Sequence, residues 1–74
     1  MIDLREYRKR VQESISELKR DIEVLQSGQI TLRSKDGDGP WVDATPEAIA
    51  RDKRVLGTYE MILADIERRM AEGR

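Results

Sequence analysis

The chain contains no cysteine and no histidine among its 74 residues. Without cysteine it has neither a disulfide nor a thiolate site, and without histidine it lacks the commonest metal ligand and general base. A classical zinc site is therefore excluded. No glycine motif of the kind that cradles phosphates is present either, so we predict that the chain is not an enzyme and that it has no catalytic residues, no cofactor and no bound metal.

Aromatic residues are also few, the net charge is small, and long apolar runs are missing. Only 4% of the residues are aromatic and the net charge is -1, so nothing draws the whole chain toward nucleic acid or an anionic membrane. No apolar run approaches the roughly 20 residues that span a bilayer, and the first residues, Met1 to Arg5, lack a signal-peptide core. We therefore expect no membrane partner and a cytoplasmic location.

The chain is rich in apolar residues at heptad spacing, on both sides of a glycine-rich insert. The first stripe comprises Leu4, Val11, Leu18 and Leu25, alternating with Ile15 and Ile22. The second comprises Ile49, Leu56, Leu63 and Met70, alternating with Tyr59 and Ile66. This pattern predicts a mainly α fold in which two helices form an antiparallel, coiled-coil-like hairpin. A single domain of this size, residues 1–74, has a marginal core, so we also expect an oligomer.

Local signals predict a helix over residues 3–26, a β-hairpin or loop over 28–44 and a second helix over 46–71. Gly28 is expected to close the first helix in a left-handed cap. Thr45 and Pro46 predict the start of the second, with Thr45 as the capping hydroxyl. Between the helices, the apolar side of a short hairpin is expected to cover the open end of the helical pair; its residues are Ile30, Leu32 and either Trp41 or Val42.

The insert contains an acidic, glycine-rich run, residues 35–39, that is similar to part of an EF-hand calcium loop. In a frame that starts at Ser34, aspartates occupy positions 3 and 5, but Ser34 and Thr45 stand at positions 1 and 12, where carboxylates are needed. A frame that starts at Asp36 places Glu47 at position 12 and puts Pro40 and Trp41 where a ligand and the turn glycine belong. Neither frame completes the coordination sphere, so we predict a plain turn without metal.

The second helix carries more apolar surface than one seam consumes. Val55 and Ile62 form a stripe beside the core rows, whereas the matching flank of the first helix is polar, with Ser14 and Asp21. Because exposed apolar stripes are commonly covered by association, we predict an oligomer interface on the second helix. Its residues are Ala48, Val55, Tyr59 and Ile62.

Basic residues are concentrated at one end of the predicted hairpin. Antiparallel packing brings the start of the first helix next to the end of the second, and cations at a helix amino terminus oppose the helix dipole. The cluster therefore suggests contacts with an acidic partner, either a protein surface or phosphates. The residues concerned are Arg5, Arg8, Lys9, Arg10, Arg68 and Arg69.

Four short segments carry a resemblance to a known family. They are Gly28, the turn Lys35-Asp36-Gly37, the pair Ala44-Thr45, and Ile62-Leu63-Ala64-Asp65-Ile66-Glu67. Over roughly residues 12–67 the chain resembles the phage W-type head-to-tail joining proteins. The resemblance implies a helix, hairpin, helix fold and a virion structural protein that forms a ring below the portal and helps to retain packaged DNA. It would place the chain in the virion or the host cytoplasm.

Three functional hypotheses remain open at this point. The first is an assembly module that acts through its helix faces, phage-derived or otherwise. The second is a small inhibitor or adaptor that binds a larger protein or nucleoprotein complex through its charged helix surface. The third is a nucleic-acid accessory protein that uses the basic end.

Overall fold

The protein, represented by a computed structural model that describes residues 3–73, is a hairpin of two long helices with a small β-hairpin between them. Helix α1 covers Leu4–Ser27 and helix α2 covers Thr45–Glu72, while strands β1 and β2 cover Arg33–Ser34 and Val42–Asp43. The predicted mainly α, helix–hairpin–helix fold is therefore confirmed. Helix α1 begins and ends one residue later than the predicted 3–26, and α2 extends one residue beyond the predicted 46–71 at each end. Met1, Ile2 and Arg74 of the predicted domain lie outside the described residues.

Both ends of α1 are closed by the residues that adjoin it. The carboxylate of Asp3 accepts a hydrogen bond from the Arg5 amide at 3.0 Å, which satisfies one of the free donors of the first turn. At the other end Gly28 adopts φ +81°, the left-handed conformation that terminates a helix. The hydroxyl of Ser27 donates to the carbonyl of Val24 at 2.8 Å and reinforces the last turn.

The start of α2 differs from the prediction. Ala44, not Thr45, occupies the cap position, and Thr45 lies inside the first turn. The Thr45 amide donates to a carboxylate oxygen of Asp43 at 3.0 Å, so Asp43 satisfies this end of the helix. The Thr45 hydroxyl faces Leu32 instead: it accepts from the Leu32 amide at 2.9 Å and lies 3.4 Å from the Leu32 carbonyl oxygen. The prediction that the Thr45 hydroxyl caps the helix was wrong because that hydroxyl joins the hairpin to α2.

The core is the predicted seam between the two helices. Val11 and Ile15 of α1 and Ile66 of α2 are buried together, and Ile22 and Ala48 are buried nearer the β-hairpin. Partly buried apolar residues of α2 pack around this cluster; they are Leu56, Tyr59, Ile62, Leu63 and Met70. The molecule measures 58 × 25 × 15 Å. Its apolar residues are therefore spread along a thin rod, which leaves many of them only half covered.

The β-hairpin is shorter than the insert that contains it. Arg33 pairs with Asp43 and Ser34 with Val42, and one further bond joins the Ala44 amide to the Leu32 carbonyl at 2.8 Å. Ile30 and Leu32 lie near the end of α1 beside Val24 and Leu25, but they are 52% and 39% exposed, so they cover the open end of the helices only in part.

The other half of that expectation was wrong, because Trp41 and Val42 are both exposed. A ladder of two residues a side cannot hold a second apolar strand against the helices. The ring of Trp41 contacts Lys35 instead, whose ammonium group lies 5.6 Å from the ring centroid.

Candidate interaction surface

An open apolar groove lies between the start of α1 and the second half of α2. Its volume is about 580 Å³. Tyr7, on α1, is 41% exposed there, and Met61, on α2, is 75% exposed. We call this the Tyr7 groove; it is lined by Leu4, Tyr7, Thr58, Met61, Ile62, Asp65, Ile66 and Arg69.

The α2 wall of the groove continues along one side of that helix. Residues three or four positions apart share a side of an α-helix, and such a series runs from the first turn of α2 to its last turns. We call this series the α2 side face. It consists of Glu47, Arg51, Arg54, Val55, Thr58, Met61, Ile62, Asp65 and Arg69. Apart from Arg54, the face is apolar at its middle and charged toward both ends.

Thr58 lies at the middle of the α2 side face, and its hydroxyl is hydrogen-bonded within the helix. Its hydroxyl donates to the carbonyl of Arg54, one turn earlier, at 3.2 Å. A threonine whose donor is satisfied within its own helix presents chiefly its methyl group to a neighbour, so its burial carries a reduced desolvation cost. The middle of the face can therefore be covered by an apolar surface.

The four residues of the predicted oligomer interface lie in different surroundings. Ala48 is 5% exposed and buried within the chain itself. Tyr59 and Ile62 are half-buried and pack on the core, which leaves only their outer edges accessible. Val55, at 38% exposure, is the most exposed of the four residues.

The sequence reading missed two residues of this surface. Met61 lies outside both heptad rows, so core periodicity gave no reason to single it out, although an apolar residue three positions after Thr58 and four before Asp65 falls on their side of the helix. Tyr7 lines the groove as well, and its exposure makes the flank of α1 less polar than Ser14 and Asp21 indicated.

Asp65, on the α2 side face, forms ion pairs with two arginines of its own helix. Arg68 and Arg69 both bind its carboxylate, Arg69 through Nε at 2.9 Å from Oδ2. Hydrogen bonds from Arg68, and next those from Arg69, hold the pKa of the Asp65 carboxyl below its usual value. The carboxylate is thus fixed in place at the rim of the Tyr7 groove.

The predicted basic cluster lies at one end of the rod, but several of its residues form ion pairs with acidic residues of the same chain. Arg68 and Arg69 are the partners of Asp65, and Arg10 lies 4.0 Å from Glu6. Arg5 and Arg8 line a shallow depression together with Glu67, Met70 and Ala71, and Arg8 is half-buried there. Lys9 is exposed. That this cluster meets an acidic partner stays a prediction.

The acidic run of the insert forms an exposed turn. Gly37 adopts φ +55°, and the Gly39 amide donates to the Asp36 carbonyl at 2.8 Å, so the backbone closes on itself. Within residues 3–73, no three acidic side chains converge in a way that could hold a metal ion.

Over the same part of the chain, neither helix combines the length and the apolar character that a bilayer crossing needs. Comparisons of the chain with protein families, with curated proteins and with solved structures find no match. The surface formed by the Tyr7 groove and the α2 side face is therefore the main basis for a functional proposal.

Proposed function

We propose that this chain is a non-enzymatic assembly module that associates with copies of itself through the α2 side face and the Tyr7 groove. The observation that carries the proposal is the exposure of Tyr7, Val55 and Met61 on one connected surface. A small monomer gains nothing from leaving these side chains in water. Fully burying an exposed apolar side chain contributes roughly 1.5–3 kcal/mol, and Met61, at 75% exposure, stands to gain most of that.

The thin core supports the same proposal. Among the described residues only five apolar side chains are buried, in a chain of 74 residues. Domains of this size gain little stability from their own core, and oligomerisation is one of the usual ways to bury more apolar surface. Self-association would therefore stabilise the fold as well as create the assembly.

The resemblance to the phage head-to-tail joining proteins would make such an assembly a ring. The helix, hairpin, helix order agrees with what that resemblance implies, and the ring itself stays a prediction. A ring and a dimer differ in mass, so the same measurement separates them.

The test is the mass of the chain in solution, measured by size-exclusion chromatography with light scattering. We expect the wild type at a multiple of its 8.6 kDa chain mass, and the double variant Val55→Glu, Met61→Glu at 8.6 kDa. In a symmetric interface each chain would have to bury two unpaired glutamates, and burying unpaired charges is costly. Ile62 is left unchanged because it also packs on the core, and charging it would weaken the monomer itself.

The matched control is the double variant Trp41→Glu, Val42→Glu. It introduces the same two charges at exposed apolar positions of the insert, away from the α2 side face, and is expected to keep the wild-type mass. A wild type that is monomeric at several hundred micromolar would end the proposal and leave the adaptor hypothesis as the better one. Equal loss of mass in both double variants would also count against it.

A further inference from the structure

We propose that the partner on the α2 side face is a second copy of the chain, packed antiparallel, with the two Thr58 residues on the twofold axis. The inference rests on the proposed self-association and adds its orientation and register. In such a pair, residues equally far before and after Thr58 face each other across the axis.

That symmetry matches the chemistry of the face at three pairs of positions, whereas Arg54, four residues before Thr58, would lie opposite Ile62. Val55 and Met61, three residues before and after Thr58, would meet as an apolar pair. Arg51 and Asp65, seven residues before and after, would meet as opposite charges, and Glu47 would meet Arg69 in the same way. The face is therefore complementary to its own reversed copy.

A parallel pair has the opposite character. In register it would set Arg51 against Arg51 and Asp65 against Asp65, and like charges across an interface oppose association. The antiparallel pair avoids both clashes and gains a mutual ion pair at each end of its apolar middle. The pattern of charges on the α2 side face thus selects one orientation.

The contacts within the monomer leave these groups ready for the pairing. Asp65 is fixed by Arg68 and Arg69, while Arg51 is an exposed side chain whose nearest ion partner, Asp52, lies 3.8 Å away. Thr58, on the axis, has a small side chain whose hydroxyl already donates within its own helix. Arg54, one turn before Thr58, is exposed beside the axis, so its long side chain must extend to the rim of the interface.

Single cysteines can test this geometry cleanly because the natural chain has none. Thr58→Cys places two thiols on the axis, and Val55→Cys with Met61→Cys places complementary thiols on two different chains. Disulfides form readily only between residues whose Cα atoms lie within about 7 Å. Glu60→Cys, on the far side of α2 from Thr58, is the matched exposed control. Disulfide-linked dimer is quantified by non-reducing electrophoresis after oxidation in a glutathione buffer.

We expect Thr58→Cys to form linked dimer roughly 100-fold faster than Glu60→Cys, because paired thiols in a dimer have millimolar effective concentration. Val55→Cys and Met61→Cys are each expected to stay unlinked alone and to link when mixed. If each links alone and the mixture adds nothing, the pairing is parallel and the inference is overturned. The proposed function then stands, provided that light scattering still shows a wild-type oligomer. A monomeric wild type with no cross-link above the control overturns both.

Discussion

At the scale of single residues, two glycines of the chain occupy opposite kinds of backbone conformation. Gly28 ends α1 at φ +81°, whereas Gly57 lies in the interior of α2. A methyl group added at either position would meet no atom within 4 Å. The consequence of adding one therefore depends on the backbone alone.

Gly28→Ala is expected to destabilise the fold by about 1–2 kcal/mol, since a side chain disfavours the left-handed conformation. Gly57→Ala is expected to stabilise it by about 0.5–1 kcal/mol, because alanine loses less backbone entropy in a helix than glycine does. Thermal melts followed by circular dichroism, at one fixed chain concentration, check both signs. A loss of stability in Gly57→Ala would indicate that a neighbouring copy approaches the helix there.

At the scale of elements, the hairpin and α2 are joined by one buried hydroxyl. Thr45 is 8% exposed and is the sole buried polar residue among those described. Its Oγ1 accepts the bond from the Leu32 amide, while the Ala44 amide donates to the Leu32 carbonyl. Leu32 is thus held by both of its backbone groups at the point where the insert turns into the helix.

Replacing Thr45 with valine keeps the shape of the side chain and removes that acceptor. We expect Thr45→Val to lower the free energy of unfolding by about 1 kcal/mol, the usual net contribution of one hydrogen bond. Thr45→Ser retains the hydroxyl and is expected to remain closer to the wild type. Denaturant titrations followed by circular dichroism compare the two variants. Equal losses in both would mean that the methyl group, not the hydroxyl, is what matters at this position.

The same elements show where sequence reasoning succeeded and where it stopped. The helices were predictable because apolar residues such as Val11, Ile15 and Ile22 recur at spacings of four and seven residues, which a helix places on one face. The role of Thr45 was not, because a threonine before a proline is typical of a cap, and only the fold brings Leu32 within reach of it. The exposure of Trp41 was equally hidden, since the length of the strand ladder is set by pairing between distant residues.

At the scale of the whole molecule, two carboxylates with a lowered pKa, Asp43 and Asp65, lie near opposite ends of α2. The Thr45 hydroxyl, and next the Thr45 amide, lower the pKa of Asp43 from its usual 3.8, while Arg68 and Arg69 lower that of Asp65. A carboxylate whose pKa is lowered by folding stabilises the folded state above the unfolded pKa. That contribution is lost as the pH falls through the folded pKa.

We therefore expect the melting temperature of the wild type to fall as the pH drops below about 4, and the double variant Asp43→Asn, Asp65→Asn to show a shallower fall. At neutral pH the double variant is expected to be less stable than the wild type. The matched control is Asp38→Asn, in the exposed acidic turn, which should follow the wild-type curve. Parallel curves for the double variant and the wild type would contradict the assignment of acid sensitivity to these two groups.

The candidate site was only partly visible in the sequence for a reason that applies to the whole molecule. Val55 could be found because it flanks a regular core row. Met61 and Tyr7 could not, since their surroundings depend on how α1 and α2 sit against each other at the groove. Ala48 was predicted to face a partner and is buried instead, because the chain itself covers that turn of α2.

The position of Trp41 bears on how unfolding can be observed. It is the only tryptophan of the chain, it is 63% exposed, and it lies on the β-hairpin rather than at the seam. Its emission in the native state will already be that of an indole in water, so it reports on the hairpin and on Lys35 above the ring rather than on the helices. Denaturation followed by fluorescence and by circular dichroism need not coincide, and a mismatch here would reflect the location of the probe instead of a populated folding intermediate.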